Sequence, residues 1–416
     1  MQLKSMCNRD AVAVLNQPQL VYVLTELFPG TAMSRTRLPL NFSLVLDRSG
    51  SMAGEKLRTM KEAVKNILDQ LQANDVISIV TFENRTQVLA PAQEAGDKIQ
   101  LKRLVDQIHD GGGTKLAQGL REGLNQVAQR HAADRVSRVV LLTDGEATDR
   151  LDDSRRLADE AGKQGIPVIG LGFGKDWNEE FLIDLADRSV QAKPGSQTGM
   201  VEYIPRPKDA MGIFQQVYQS MQVVAQNVQV TLRMVQGLEA RRVWQVVPTI
   251  KDIGLDAIQG RAIVIPVGEL EKGGAAYLAE IMLPPRPPGG VRIAQTEASY
   301  TVAGQGQQRE MADLVVNFTS DPAATSLLNG HVMNVVEKVQ AYKLQTQALS
   351  EAELGNVHAA SQKLRQAVTI LLSQGEADLA EQMSQEAERL DQSGQMSNEA
   401  KKTIRLTSRK TIRLSE

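Results

Sequence analysis

Cysteine occurs once in 416 residues, at Cys7, which excludes an internal disulfide framework and suits a reducing compartment. Aromatic residues make up only 4%, too few for the stacking platforms that hold single-stranded nucleic acid. An excess of one charge is missing too. Lys and Arg number 47 against 49 Asp and Glu, and the net charge of −2 gives the body of the chain no electrostatic reason to bind nucleic acid. No run approaches the ~20 apolar residues of a membrane span. The N-terminal MQLKSMCNRDAVAVLN has neither the apolar length nor the cleavage pattern of an export signal. A cytoplasmic protein is expected.

Histidine is scarce and scattered. His109, His131, His331 and His358 offer no zinc-ligand spacing, and a triad around Ser49 or Ser51 cannot be built from their order. The glycines at Gly170, Gly172 and Gly174, followed by Lys175 and Asp176, lack the spacing and the hydroxyl residue of a phosphate-binding loop. The expectation is a binding protein and not an enzyme, with a hydrolase as the weaker alternative.

What is present begins with NFSLVLDRSGSM at 41–52, an apolar run that stops on Asp47 and then offers hydroxyls at alternate positions. In an extended segment alternate side chains leave one face, so Asp47, Ser49 and Ser51 can converge on one point. A hard cation such as Mg2+ takes oxygen ligands, and one carboxylate with two neutral hydroxyls leaves it short of negative charge. Alone the pattern is weak, because acidic and hydroxyl residues also cap ordinary strand-to-helix turns. Two later stretches add to it: the glycine loop at 111–113 with Thr114, and the buried-strand pattern VVLLTDG at 139–145 ending on Asp144.

Taken together, Asp47, Ser49, Ser51, Thr114 and Asp144 resemble the metal-ion-dependent adhesion site of the von Willebrand factor type A domain, over roughly residues 38–225. The resemblance implies a magnesium ion, with Mn2+ or Ca2+ as alternatives. It also implies a protein partner that supplies an Asp or Glu to the metal. The rival reading is that the five residues merely cap and tie the loops.

The surrounding pattern divides the chain. Residues 1–37 carry strand-like segments, AVAVL and QLVYVLTELF, that need partners elsewhere. From Leu40, continuous apolar strands alternate with amphipathic helices, which predicts an α/β, doubly wound, mostly parallel sheet. Leu57, Met60, Ala63, Val64, Ile67, Leu68 and Leu71 set the first helix, 115–131 and 178–188 further ones, and 209–224 the closing helix. Period-two segments separated by Gly and Pro turns then predict an antiparallel β-sandwich over 226–321, which the first strands would join, making the A domain an insertion. This arrangement is similar to integrin-like and inter-α-trypsin-inhibitor-like architectures.

Residues 322–395 read as a helical bundle packed on the sandwich, and 396–416 as a basic flexible tail. The tail repeats KTIRL at 402–406 and 410–414, with a basic residue before each of Thr403 and Thr411 and leucine three residues after. Phosphorylated, either threonine would carry nearly two negative charges. The spacing is similar to the ligands of forkhead-associated domains, so such a domain or a Ser/Thr kinase is the expected partner there. A scaffold with a vestigial metal site, using helices and tail, is the alternative function.

Overall fold

The computed structural model describes residues 1–30, 33, 37–190, 199–302 and 305–407. Its contacts divide the chain into two compact units: 34–224, and 1–33 together with 225–416.

The 34–224 unit is a six-stranded sheet between helices. Its strands are β4 (Leu40–Asp47), β5 (Val76–Phe82), β6 (Thr86–Glu94), β7 (Val136–Thr143), β8 (Val168–Phe173) and β9 (Val201–Ile204), in the order β6-β5-β4-β7-β8-β9. All pairings are parallel except that of the edge strand β6 with β5. Every residue of β4, β5, β7 and β8 is buried, which explains why they read as unbroken apolar runs.

The helices are α1 (Glu55–Gln70), α2 (Lys98–Asp106), α3 (Leu116–Ala128), α4 (Leu151–Gln164), α5 (Glu179–Ser189) and α6 (Ala210–Ser220). On α1 the residues Leu57, Met60, Ala63, Val64, Ile67 and Leu68 form the buried stripe, at three- and four-residue spacing. Asp97 and Asn178 cap α2 and α5 by accepting from the amides of Gln100 and Phe181. The α4 helix ends on Gly165 in the left-handed region at φ +69°. At the amino ends of β4 and β5, Asp75 is fully buried and takes Arg37 on both carboxylate oxygens, at 2.8 and 2.5 Å, while also accepting from the amides of Leu40 and Gln72.

The closing helix is shorter than the pattern suggests. It stops at Ser220, and the β-branched Val223 and Val224 already belong to the next strand. Strand β9, only four residues long, leaves no pattern in the sequence.

In the other unit, strands from both ends of the inserted domain pair with one another. One sheet has the order β1-β3-β15-β11-β12, from β1 (Gln2–Cys7), β3 (Gln19–Phe28), β11 (Glu239–Val247), β12 (Lys251–Gly254) and β15 (Ala275–Leu283). The other has the order β13-β14-β10-β16-β17-β2, from β2 (Ala11–Ala13), β10 (Val223–Met234), β13 (Ile258–Gln259), β14 (Ala262–Glu271), β16 (Gly289–Val302) and β17 (Gly306–Thr319). The sheets face each other: Ser5 Oγ of β1 lies 2.7 Å from Thr296 Oγ1 of β16. Strand β3 pairs antiparallel with β15 along nine residues, from Gln19 opposite Leu283 to Leu27 opposite Ala275.

Helices α7 (Pro322–Ser326), α8 (Gly330–Glu353), α9 (Val357–Ser373) and α10 (Ala377–Ser393) follow. Val332, Val335 and Val339 of α8 pack against Leu24, Trp244, Ala276 and Leu278 of the first sheet. The last helices share a separate cluster that includes Leu364, Leu371, Met383 and Leu390.

The expected flexible tail from 396 needs correction. Ser397 caps a short helix, α11 (Asn398–Lys402), and Thr403–Thr407 continue as one π turn. Met396, Ala400 and Ile404 enter the helical core, with Ile404 fully buried, and Glu386 accepts from both the amide and the hydroxyl of Ser397. Apolar contact outweighs the basic composition of the segment. Thr403 is only 8% exposed, so it is not displayed on a loose strand for modification or docking. Thr411 lies outside the described residues. Among the described residues, no helix is long and apolar enough to cross a membrane.

Candidate metal centre

Strands β4 and β7 are neighbours, and the chain moves to opposite sides of β4 when it passes to β5 and to β7, so their carboxyl ends form the switch point of the sheet. Asp47 ends β4, and Asp144 follows β7 directly. Both carboxylates are fully buried.

Four of the five expected residues are joined by hydrogen bonds. The amide of Ser49 donates to Asp47 Oδ1 at 2.8 Å, fixing the turn. The Ser49 and Ser51 hydroxyl oxygens are 3.0 Å apart. Ser51 Oγ donates to Asp144 Oδ1 at 2.6 Å, and Ser49 Oγ reaches the same oxygen at 3.4 Å. Thr114 joins them by position: a Cβ built on Gly145 would stand 3.8 Å from Ser51 Oγ and 4.0 Å from Thr114 Oγ1, so both hydroxyls face the space beside Gly145.

The three loops are laced together through their backbones. The amide of Gly50 donates to Gly112 O at 3.0 Å, and that of Gly111 to Arg48 O at 2.7 Å. Thr148 N donates to Thr114 O at 2.8 Å, binding the loop after β7 to the glycine loop. Asp149 Oδ2 accepts from Ala117 N at 2.8 Å in the first turn of α3, and burial raises this carboxyl above its ordinary pKa. Glu83, at the end of β5, accepts from the amides of Asn84 and Gly112 and faces Arg48. Those amide bonds and the Arg48 charge hold its carboxyl below the ordinary range. Converging loops at a strand end thus keep the five oxygens in register.

Two residues outside the sequence reading complete the centre. Thr143 Oγ1 donates to Asp47 Oδ2 at 2.7 Å, across the β4/β7 pair. Lys56, in the first turn of α1, places Nζ 2.5 Å from Asp144 Oδ2. Thr143 is visible in the sequence only as the hydroxyl residue before Asp144, and Lys56 only as a cation nine residues after Asp47. Desolvation pushes the Asp47 carboxyl above the usual range; the Ser49 amide and Thr143 hydroxyl lower it, and the Asp144 charge raises it further.

The donor set consists of two carboxylates and three hydroxyls, all hard oxygens, which fits Mg2+ or Ca2+ in type. It does not suit zinc of the His and Cys kind. Among the described residues, no group of three or more His, Cys, Asp or Glu is placed to hold a metal. An ion here would depend on the hydroxyls.

Two segments of the chain match known protein families. Residues 41–196 match the von Willebrand factor type A domain, and 330–414 match the Sll0103-like, C-terminal alpha-helical domain. The protein sll0103 of Synechocystis sp. is 31% identical over 284 residues, 67% of this chain and 65% of that protein. Human inter-alpha-trypsin inhibitor heavy chain H3 is 31% identical over 163 residues, 36% of this chain and 18% of its own length. The chain therefore spans just under two thirds of the first relative and less than a fifth of the second. A von Willebrand factor type A protein from Catenulispora acidiphila superposes with a TM-score of 0.71 at 19% identity, covering 99% of this chain and 97% of that one. That likeness shows a shared fold from the first strands to the last helices. Residues 41–196 accordingly form a von Willebrand factor type A domain, placed in sequence between strands of a β-sandwich, and residues 330–414 a Sll0103-like helical domain.

Proposed function

We propose that the chain is a divalent-cation-dependent recognition protein, in which Asp47, Ser49, Ser51, Thr114 and Asp144 hold Mg2+, or Mn2+ or Ca2+ in its place, and a protein partner supplies an Asp or Glu to the ion. The observation that carries this reading is the meeting of two buried carboxylates with the hydroxyls of Ser49 and Ser51 at the mouth of the parallel sheet. Domains of the von Willebrand factor A family commonly mediate protein–protein interaction, which supports recognition over catalysis. The bound ion would supply a positive centre for an incoming carboxylate. The protein's own residues do the rest: Thr143 and the Ser49 amide hold Asp47 in place, and the laced loops fix the hydroxyls. The reading places this work in the cytoplasm.

The test is affinity capture by the full chain with Mg2+ and again with chelator, using wild type and Asp47→Ala, with folding checked by circular dichroism. Partners retained only by wild type with Mg2+ would support the reading. Equal capture in chelator, or by the variant, would contradict it.

A further inference from the structure

A cation, Lys56, stands beside the site. Asp144 divides its two oxygens between different neighbours: Oδ1 accepts from the Ser51 and Ser49 hydroxyls, while Oδ2 faces the Lys56 ammonium at 2.5 Å. Lys56 stands in the first turn of α1, where the helix dipole disfavours a positive charge. The helix start receives no side-chain cap from Gly54. A lysine is therefore poorly placed for the helix itself, and its counter-charge comes from Asp144. The ammonium also lies beside the end of β8: a Cβ built on Gly174 would stand 3.4 Å from Lys56 Nζ and 3.5 Å from Lys56 Cε, at ordinary contact distance.

We propose that Lys56 is a tethered cation that shares Asp144 with the divalent ion, weakening the ion's hold while strengthening the pull of the bound ion on an outside carboxylate. The proposal rests on the metal-dependent reading above and concerns its regulation. The charges give its sign. Asp47 and Asp144 bring two negative charges and Lys56 one positive, so a divalent ion leaves the cluster at plus one. A single incoming carboxylate neutralises it. Without Lys56 the loaded cluster is already neutral, and the same carboxylate would leave it at minus one. Removing the lysine should therefore tighten the ion and loosen the acid, two changes of opposite direction that a merely structural lysine would not produce.

The experiment titrates the full chain with Mn2+, reading free Mn2+ by electron paramagnetic resonance, and then adds acetate while following water-proton relaxation. Wild type is compared with Lys56→Gln, Lys56→Arg and Asp47→Ala, each first shown to melt cooperatively. Lys56→Gln should bind Mn2+ on the order of tenfold more tightly and acetate several-fold more weakly, given the effect of one charge at this range in a partly solvated site. Lys56→Arg should behave like wild type. If Lys56→Gln matches wild type, or binds Mn2+ more weakly while Asp47→Ala abolishes binding, the tethered-cation proposal is overturned and the metal reading stands. If Asp47→Ala binds Mn2+ as wild type does, or wild type does not bind it, both fall.

Discussion

A Cβ built on Gly123 of α3 would stand 2.3 Å from Val45 Cγ2 of β4, so the helix rests on the central strand at a distance only glycine permits. Val45 is fully buried between β5 and β7 and has nowhere to turn. One helical turn earlier, Gly119 meets the Phe82 ring in the same way, at 2.8 Å. Because α3 begins two residues after Thr114, its seat on the sheet also sets the position of that hydroxyl.

Gly123→Ala tests this seat. Alanine favours helix over glycine by about 1 kcal/mol, but overpacking a filled interior costs about 1–3 kcal/mol. We expect a net loss of stability in urea unfolding together with weaker Mg2+ binding. A more stable protein with unchanged ion affinity would show that the helix can shift without consequence.

The Arg37–Asp75 pair offers a second check. Asp75 is fully buried and satisfies Arg37 and two backbone amides at once. Burial works against the Arg37 charge, but its bonds to Asp75 keep the guanidinium pKa above its ordinary value. Asp75→Ala leaves that charge without a counter-ion, at an expected cost of about 3–5 kcal/mol. Equilibrium denaturation measures it, and a loss below 1 kcal/mol would mean that water replaces the carboxylate freely.

Glu83 sets a pH dependence. Its carboxyl binds protons less readily in the folded chain than its ordinary value of 4.5 implies, so it favours folding when ionised. That contribution is complete above about pH 4.5 and disappears as the pH falls through its lower folded value. Glu83→Gln should therefore lower the melting temperature slightly at pH 7, the two melting curves converging in acid. A gap that persists or widens below pH 4 would contradict the assignment.

Much of this could be read from the residues because the site is built at strand ends. Asp47 and Asp144 each close an apolar run, but β4 ends at Asp47, and Ser49 and Ser51 meet it through the turn that follows and the 3-10 turn Gly50–Met52, not through strand alternation. Lys56 could not be read in this way, since a lysine in a first helical turn is ordinarily solvated and only the fold brings it to Asp144. Gly119 and Gly123 carried a signal, two glycines one turn apart in a helix, whose meaning depends on which strand lies beneath. The first KTIRL copy misled because composition governs flexibility only where apolar residues lack a core to enter. Ile404 and Leu406 have one. The short β9, β12 and β13 are defined by their neighbours more than by their own pattern.

Ile404 provides the test of that correction. Removing most of a fully buried isoleucine should cost about 2–5 kcal/mol, seen as loss of the α9–α11 cluster by hydrogen exchange in Ile404→Ala. Unchanged protection in these helices would return the segment to a loose tail.

The central claim is that five oxygen-bearing side chains form one divalent-cation site. Isothermal titration of the chelator-treated full chain with Mg2+, beside Asp144→Asn and Ser49→Ala, tests it most directly. The account requires one ion per chain in wild type and loss or severe weakening in both variants. Absence of Mg2+ binding by wild type, or undiminished binding by the variants, would contradict it.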